Sequence, residues 1–170
     1  WGKEKNILVE NTETIRFEGD RVSSTRIREA LIGNDFMLAE KLLGRPYTFS
    51  GKVVHGQHLG RTIGIPTANL WLPKQKLPIN GVYAVECSLE NNEYQGIANM
   101  GLRPTVGGDS PVLEIHLFDF NDDIYSKRLR VKFIKKIRDE KKFDNLGMLK
   151  LQIQEDISIA KNILNNSNDN

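Results

Sequence analysis

Apolar residues change their spacing along this chain, and each change marks a different kind of element. Ile7-Leu8-Val9 and then Thr14-Ile15-Arg16-Phe17 read as a short strand and a polar turn. Ser23-Ser24-Thr25 is a helix-start signal, after which Ile27, Ala30 and Leu31 form one helical face. Gly33-Asn34-Asp35 breaks that face, and Phe36, Leu38, Ala39, Leu42 and Leu43 begin a second short helix. Gly44-Arg45-Pro46 ends the helical part, so a domain boundary is expected near residue 45, with 46–164 as the principal domain.

From Tyr47 the pattern becomes short alternating or apolar runs punctuated by Gly, Pro, Asn and Asp, the mark of an antiparallel all-β unit. Expected strands are 48–55, 67–71, 81–89, 94–100, 112–119 and 129–137, enough for a six-stranded barrel and hence a mainly β fold. In 81–89, Tyr83, Val85, Cys87 and Leu89 share a face while Glu86 and Ser88 take the other, which makes Cys87 a core filler. After Asp144-Asn145, the residues Leu146, Leu149, Ile153, Ile157, Ala160 and Leu164 recur every three or four positions, predicting a C-terminal helix packed on the barrel. Residues 165–170 read as a disordered polar tail.

Composition narrows the class without choosing the chemistry. The 170 residues carry 24 Lys and Arg against 22 Asp and Glu, a net charge of +2. With 39% hydrophobic and 27% charged residues this is the composition of a globular protein, not a disordered one. So mild a charge argues against a duplex-binding domain, and nucleic acid is not an expected partner. A single cysteine, Cys87, excludes an internal disulfide and a cysteine-clustered zinc site, which suits a reducing compartment such as the cytoplasm. No apolar run is long enough to span a membrane. A start at Trp1 instead of Met reads as a piece of a longer polypeptide.

Candidate chemistry concentrates in three places. Glycines at 51, 56, 60 and 64 lead into Pro66-Thr67-Ala68-Asn69, either as ordinary turn residues or as backbone that approaches phosphates closely, with Lys52 or Arg61 for charge. No Walker P-loop and no dinucleotide glycine fingerprint is present. Thr67 and Asn69 offer neutral oxygens on one side of an extended segment, a pair able to hold Mg²⁺ on a nucleotide or to serve as turn residues. Val112 to Phe120 is strand-like, and Glu114 shares a face with Val112, His116 and Phe118. A carboxylate on so apolar a surface is either paired, with His116 as the obvious partner, or a general base worth about 10² to 10⁴ in rate. The histidines His55, His58 and His116 match no zinc spacing. Arg138 to Phe143 is a self-neutralising loop or, for a planar cofactor, a stacking surface made by Arg138 and Phe143. Arg26 and Arg28 stand in the first turn of a helix, against its dipole, as if an anion had its place there, or merely beside an ordinary Ser cap.

These motifs in this order resemble the riboflavin kinase domain found at the C-terminal end of bacterial bifunctional riboflavin kinase/FMN adenylyltransferases (FAD synthetases). The resemblance covers residues 20–160 and rests on Ser23 to Arg28, Leu43 to Tyr47, Gly64 to Asn69, Gly81-Val82-Tyr83, Asn99 to Thr105 and Leu113 to Leu117. It implies a Greek-key barrel with a C-terminal helix that transfers the γ-phosphoryl of ATP, with Mg²⁺, to the 5′-hydroxyl of riboflavin. By motif match, Glu114 is the expected base, Thr67 and Asn69 the Mg²⁺ and phosphate ligands, and Gly51, Lys52, Gly56, Gly60 and Gly64 the nucleotide loop. Leu117, Asp119 and Tyr125 would help hold ATP, and Arg138, Lys141 and Phe143 the flavin. Residues 1–45 would be the end of the adenylyltransferase domain, whose His-x-Gly-His site is absent from this sequence, so FMN but not FAD is the expected product. Two departures stand out: Ser126 follows Tyr125 where the family usually has Gly, and Val106 follows Thr105 where an aromatic is usual.

Overall fold

The computed structural model describes residues 5, 13–56, 59–72, 77–105 and 108–167. The expected strand at Ile7 to Val9, His58 and Val106 lie outside them. A two-stranded hairpin, β1 (Arg16–Phe17) and β2 (Asp20–Arg21), leads into α1 (Ser24–Ile32) and α2 (Phe36–Leu43). Then come β3 (Thr48–Val54), a helical turn α3 (Leu59–Thr62), β4 (Ala68–Leu70), β5 (Gly81–Leu89), β6 (Asn92–Thr105), β7 (Gly108–Leu117), β8 (Arg128–Arg138) and α4 (Leu146–Ser167). Strands β3 to β8 close a barrel in the order β3-β4-β7-β6-β5-β8, every pair antiparallel.

The helix starts agree with the sequence signals. Ser23 caps α1, its Oγ accepting from the Arg26 N–H, and Asp35 caps α2 through the Leu38 N–H. Gly44, at φ 69°, ends α2 in the left-handed conformation that glycine adopts without penalty. The two first-turn arginines differ in their surroundings. Arg26 donates to the Phe17 carbonyl at 2.9 Å and lies over the Phe17 ring, tying α1 to the hairpin, and Arg28 is exposed.

Alternation fills the barrel. Leu113, Ile115 and Leu117 of β7 point inward with Tyr83, Val85, Cys87 and Leu89 of β5, and with Leu129, Val131 and Phe133 of β8. Each large apolar side chain so buried contributes about 1.5–3 kcal/mol. Burial pushes the Cys87 thiol far above its ordinary range, as befits a core filler. One end of the barrel is closed by α2: Phe36 stacks on Phe133 at 6.2 Å and meets Tyr83 edge-on at 5.7 Å. The Tyr83 hydroxyl accepts from the Asn80 N–H and reaches Asn34 Oδ1 in the α1–α2 turn. Ala30, Leu31, Phe36 and Ala39 therefore share one core with the strands, and the change in pattern near residue 45 is not a break in packing.

The outer face of β5 is buried too, because α4 covers it. Ala84, Ile97 and Phe118 pack with Ala160 and Leu164 of the helix. Leu146, expected on the packed face, is 49% exposed, because it stands at the first position of α4. The helix continues through Ser167, so the expected tail begins no earlier than 168, and residues 168–170 lie outside the described set. The site chemistry rests on two irregularities in the β5–β8 register, between Val82 and Tyr83 and between Ala84 and Val85. Each inserts one extra residue into β8, Ile137 and Ile134 respectively, and re-aims the side chains beyond it.

Candidate active site

One row of side chains crosses the outside of the barrel. Asn69 of β4 is opposite Glu114 of β7, Glu114 is opposite Asn99 of β6, Asn99 is opposite Val82 of β5, and Val82 is opposite Arg138 of β8. Neighbouring strands lie about 4.8 Å apart, so the row sets a carboxylate between two amides and an arginine three strands away. Without the bulge at Ile137, the residue opposite Val82 would be Ile137 itself. The surface around Glu114 is therefore not the apolar one expected from Val112, His116 and Phe118 alone. Both flanking amides carry a buried Oδ1 with no hydrogen-bond partner. Such oxygens are costly to leave unpaired and suit a cation or a hydroxyl.

Two cavities adjoin at Thr67, which lines both; Glu114, Asn99, Val82 and Arg138 of the row line the second, and Asn69 lines neither. The first, about 340 Å³, is walled by Gly64, Thr67, Leu117 and Tyr125, with Arg61 as its cation and Asp122 and Asp123 as acceptors. Tyr125 stacks on His55 at 3.8 Å, fixing one wall. The second, about 200 Å³, holds Glu114, Asn99, Arg138, Lys141 and Phe143. Here the Arg138 guanidinium lies over the Phe143 ring at 5.8 Å and Lys141 approaches the same ring at 6.0 Å. Arg138 is held by a residue that sequence reasoning missed. Asp156 of α4, 1% exposed, accepts from its Nε at 2.9 Å and Nη2 at 2.8 Å. Only its place on the apolar face of α4, one turn from Ala160, signals it in the sequence.

His116 is committed elsewhere than to Glu114 through Nδ1, which lies 2.8 Å from the Pro66 carbonyl. A carbonyl only accepts, so Nδ1 carries the proton, and the ring pins the loop that carries Thr67. Among the described residues no group of His, Cys, Asp and Glu could hold a metal by itself. The neutral oxygens of Thr67 and Asn69 do fit Mg²⁺ that is shared with phosphates, since the Asn69 oxygen is buried and unpartnered.

The glycine loop divides. Gly64 lines the first cavity and Gly60 the second. Gly56 packs on the Asn69 amide, where any Cβ would overlap it. Gly51 and Lys52 lie on β3, and neither lines either of these two cavities; the basic side chain at the first cavity is Arg61. Asp119 is an exposed turn residue at φ 53° outside both linings.

A closed antiparallel barrel with two adjoining cavities, one of them lined by a strand-borne carboxylate, defines a class of small-molecule-binding barrel, and comparison with known proteins specifies the family. Residues 43–164 match the Flavokinase family, described as riboflavin kinase, and the chain belongs to it. Over 164 residues it is 49% identical to the bifunctional riboflavin kinase/FMN adenylyltransferase of Haemophilus influenzae, covering 96% of this chain and 53% of that protein. The Escherichia coli K12 protein of the same name is 47% identical, with 94% and 51% covered. The chain thus spans about half the length of the curated relatives it matches. A solved structure described as a macrolide-efflux protein from Streptococcus pneumoniae superposes with TM-score 0.77 at 39% identity, covering 88% of this chain and 49% of that one. Riboflavin kinase from Trypanosoma brucei shares the fold, with TM-score 0.52 at 24% identity, 71% of this chain and 78% of that one. Among the described residues no helix is long and apolar enough to cross a membrane.

Proposed function

We propose that this chain transfers the γ-phosphoryl of MgATP to the 5′-hydroxyl of riboflavin, giving FMN and ADP. The observation that carries the reading is that Glu114 lines the second cavity while Thr67, two residues before its cross-strand neighbour Asn69, lines both cavities. The first cavity takes the nucleotide, with Arg61 toward its phosphates; the second takes the flavin ring against Phe143 and Arg138 and directs the ribityl chain to Glu114. The Glu114 carboxylate accepts the 5′-hydroxyl proton as O5′ bonds to phosphorus and the bond to the ADP oxygen breaks. Thr67 and Asn69 would hold Mg²⁺, which when bound offsets the charge on the phosphates. His116 keeps the Thr67 loop in place. Most of the acceleration then comes from holding two substrates in line.

The parent protein would pair this activity with an adenylyltransferase half, and this chain alone makes FMN without FAD. Incubation with riboflavin, ATP and Mg²⁺, followed by chromatography of the flavins, tests both statements, with Glu114→Gln run alongside. FMN should form, no FAD should appear, and the variant should lose about 10²-fold or more in kcat while still binding flavin. Flavin binding without turnover would make the barrel a non-catalytic binding module, tight salt-sensitive oligonucleotide binding without a flavin response would make it a nucleic-acid module, and FAD would refute the division of labour.

A further inference from the structure

Asn99 takes no part in the phosphoryl transfer just described, yet its position is as constrained as that of Glu114. It stands directly opposite Glu114 on β6, lines the second cavity, and carries a buried Oδ1 without a partner. Its other cross-strand neighbour is Val82, which can supply no hydrogen bond. A desolvated amide oxygen left unpaired is unfavourable, so this position favours a hydroxyl that can donate to it. The polar row gives the direction. From Glu114 toward Arg138, the first position is Asn99, one strand spacing of about 4.8 Å along. A polyol whose terminal hydroxyl is at Glu114 and whose ring is at Phe143 must run past Asn99.

We propose that Asn99 recognises a secondary hydroxyl of the ribityl chain and makes the site selective for a hydroxylated chain over an alkyl one. A hydroxyl both donates and accepts, so it satisfies the amide in either orientation of its oxygen and nitrogen. The inference rests on the riboflavin kinase reading and deepens it. Asn99 is a specificity residue and moves no proton; binding and turnover with truncated substrates expose it.

The test crosses one substitution with one deletion on the substrate. Wild type and Asn99→Ala are compared on riboflavin and on its 2′-, 3′- and 4′-deoxy analogues, measuring Kd by flavin fluorescence and kcat/KM by FMN-type product formation. On riboflavin Asn99→Ala should lose roughly 10- to 100-fold in kcat/KM. On one of the three analogues the two enzymes should be equal within about twofold, because the partner of Asn99 is already gone. Asn99→Ala should melt no lower than wild type, since the Oδ1 it removes makes no bond in the folded chain, and Asn99→Ser should restore part of the loss. Equal fold-losses on all four substrates would overturn the proposal and make Asn99 a structural residue, even with wild-type kinase activity intact. A wild-type chain that neither binds nor phosphorylates riboflavin would overturn the kinase reading and this inference together.

Discussion

Replacing Asp156 by Asn tests how the barrel and its C-terminal helix are joined at the site. The substitution keeps volume, so no cavity term enters, and removes only the charge that faces Arg138. Arg138 donates to Asp156 from Nε at 2.9 and 3.1 Å and from Nη2 at 2.8 Å, and Gln152 adds a weaker bond at 3.3 Å. Breaking a buried pair by removing one partner costs about 3–5 kcal/mol when the remaining charge is trapped. Arg138 is not fully trapped: its side chain is 20% exposed, and Nη1 keeps its bond to the Asp139 carbonyl. Partial resolvation of the guanidinium lowers the expected loss to roughly 2–3 kcal/mol. Urea denaturation of wild type, Asp156→Asn, Arg138→Met and the double variant closes a cycle, in which the pair should couple by at least about 1.5 kcal/mol. Riboflavin affinity should fall in Asp156→Asn as well, because the guanidinium leaves the Phe143 ring. Unfolding within about 0.5 kcal/mol of wild type, with no coupling, would refute the reasoning and leave α4 held by Ala160, Leu164 and their apolar neighbours alone.

Backbone strain and burial give two further outcomes. Ser126 sits at φ 67°, a conformation that glycine adopts without penalty, so Ser126→Gly should raise stability by about 0.5–1 kcal/mol in thermal or urea melts; a loss would place the value of Ser126 in its side chain. Burial pushes the Tyr83 hydroxyl up to about 12, so its folded pKa lies above the ordinary value near 10. The stability that this contributes is complete below pH 10 and is lost as pH rises through 12, by roughly 2–3 kcal/mol. Melts between pH 9 and 12 should show that slope reduced in Tyr83→Phe, with the buried Cys87 thiol, also raised, supplying a remainder; an unchanged slope would remove Tyr83 from the account.

The strand runs, the three longer helices, the Ser23 helix start and the barrel class were legible in the sequence, because alternation and three-to-four spacing report which face of an element meets apolar matter. Glu114 was legible for the same reason, as an acid out of place on a strand. Asp156 stood on the apolar face of α4, but its role was not legible, since the partner that lets an acid be buried there is 18 residues away on β8. Asn99 stood out only as part of a motif, because nothing along the chain shows that an amide oxygen will be buried unpaired. Gly51, Lys52 and Asp119 matched motif positions, but the β3 strand and the turn after β7 put them outside both cavities.

The sequence by itself determined local matters: where elements begin, which side chains turn inward, and that Cys87 belongs to the core. Only the tertiary structure decided the row from Asn69 to Arg138, because four strand registers and the two bulges at Ile134 and Ile137 set it. Register joins residues far apart in the chain through hydrogen bonds that any sequence can make, so its specification is spread over the whole barrel and α4, and no single segment carries it.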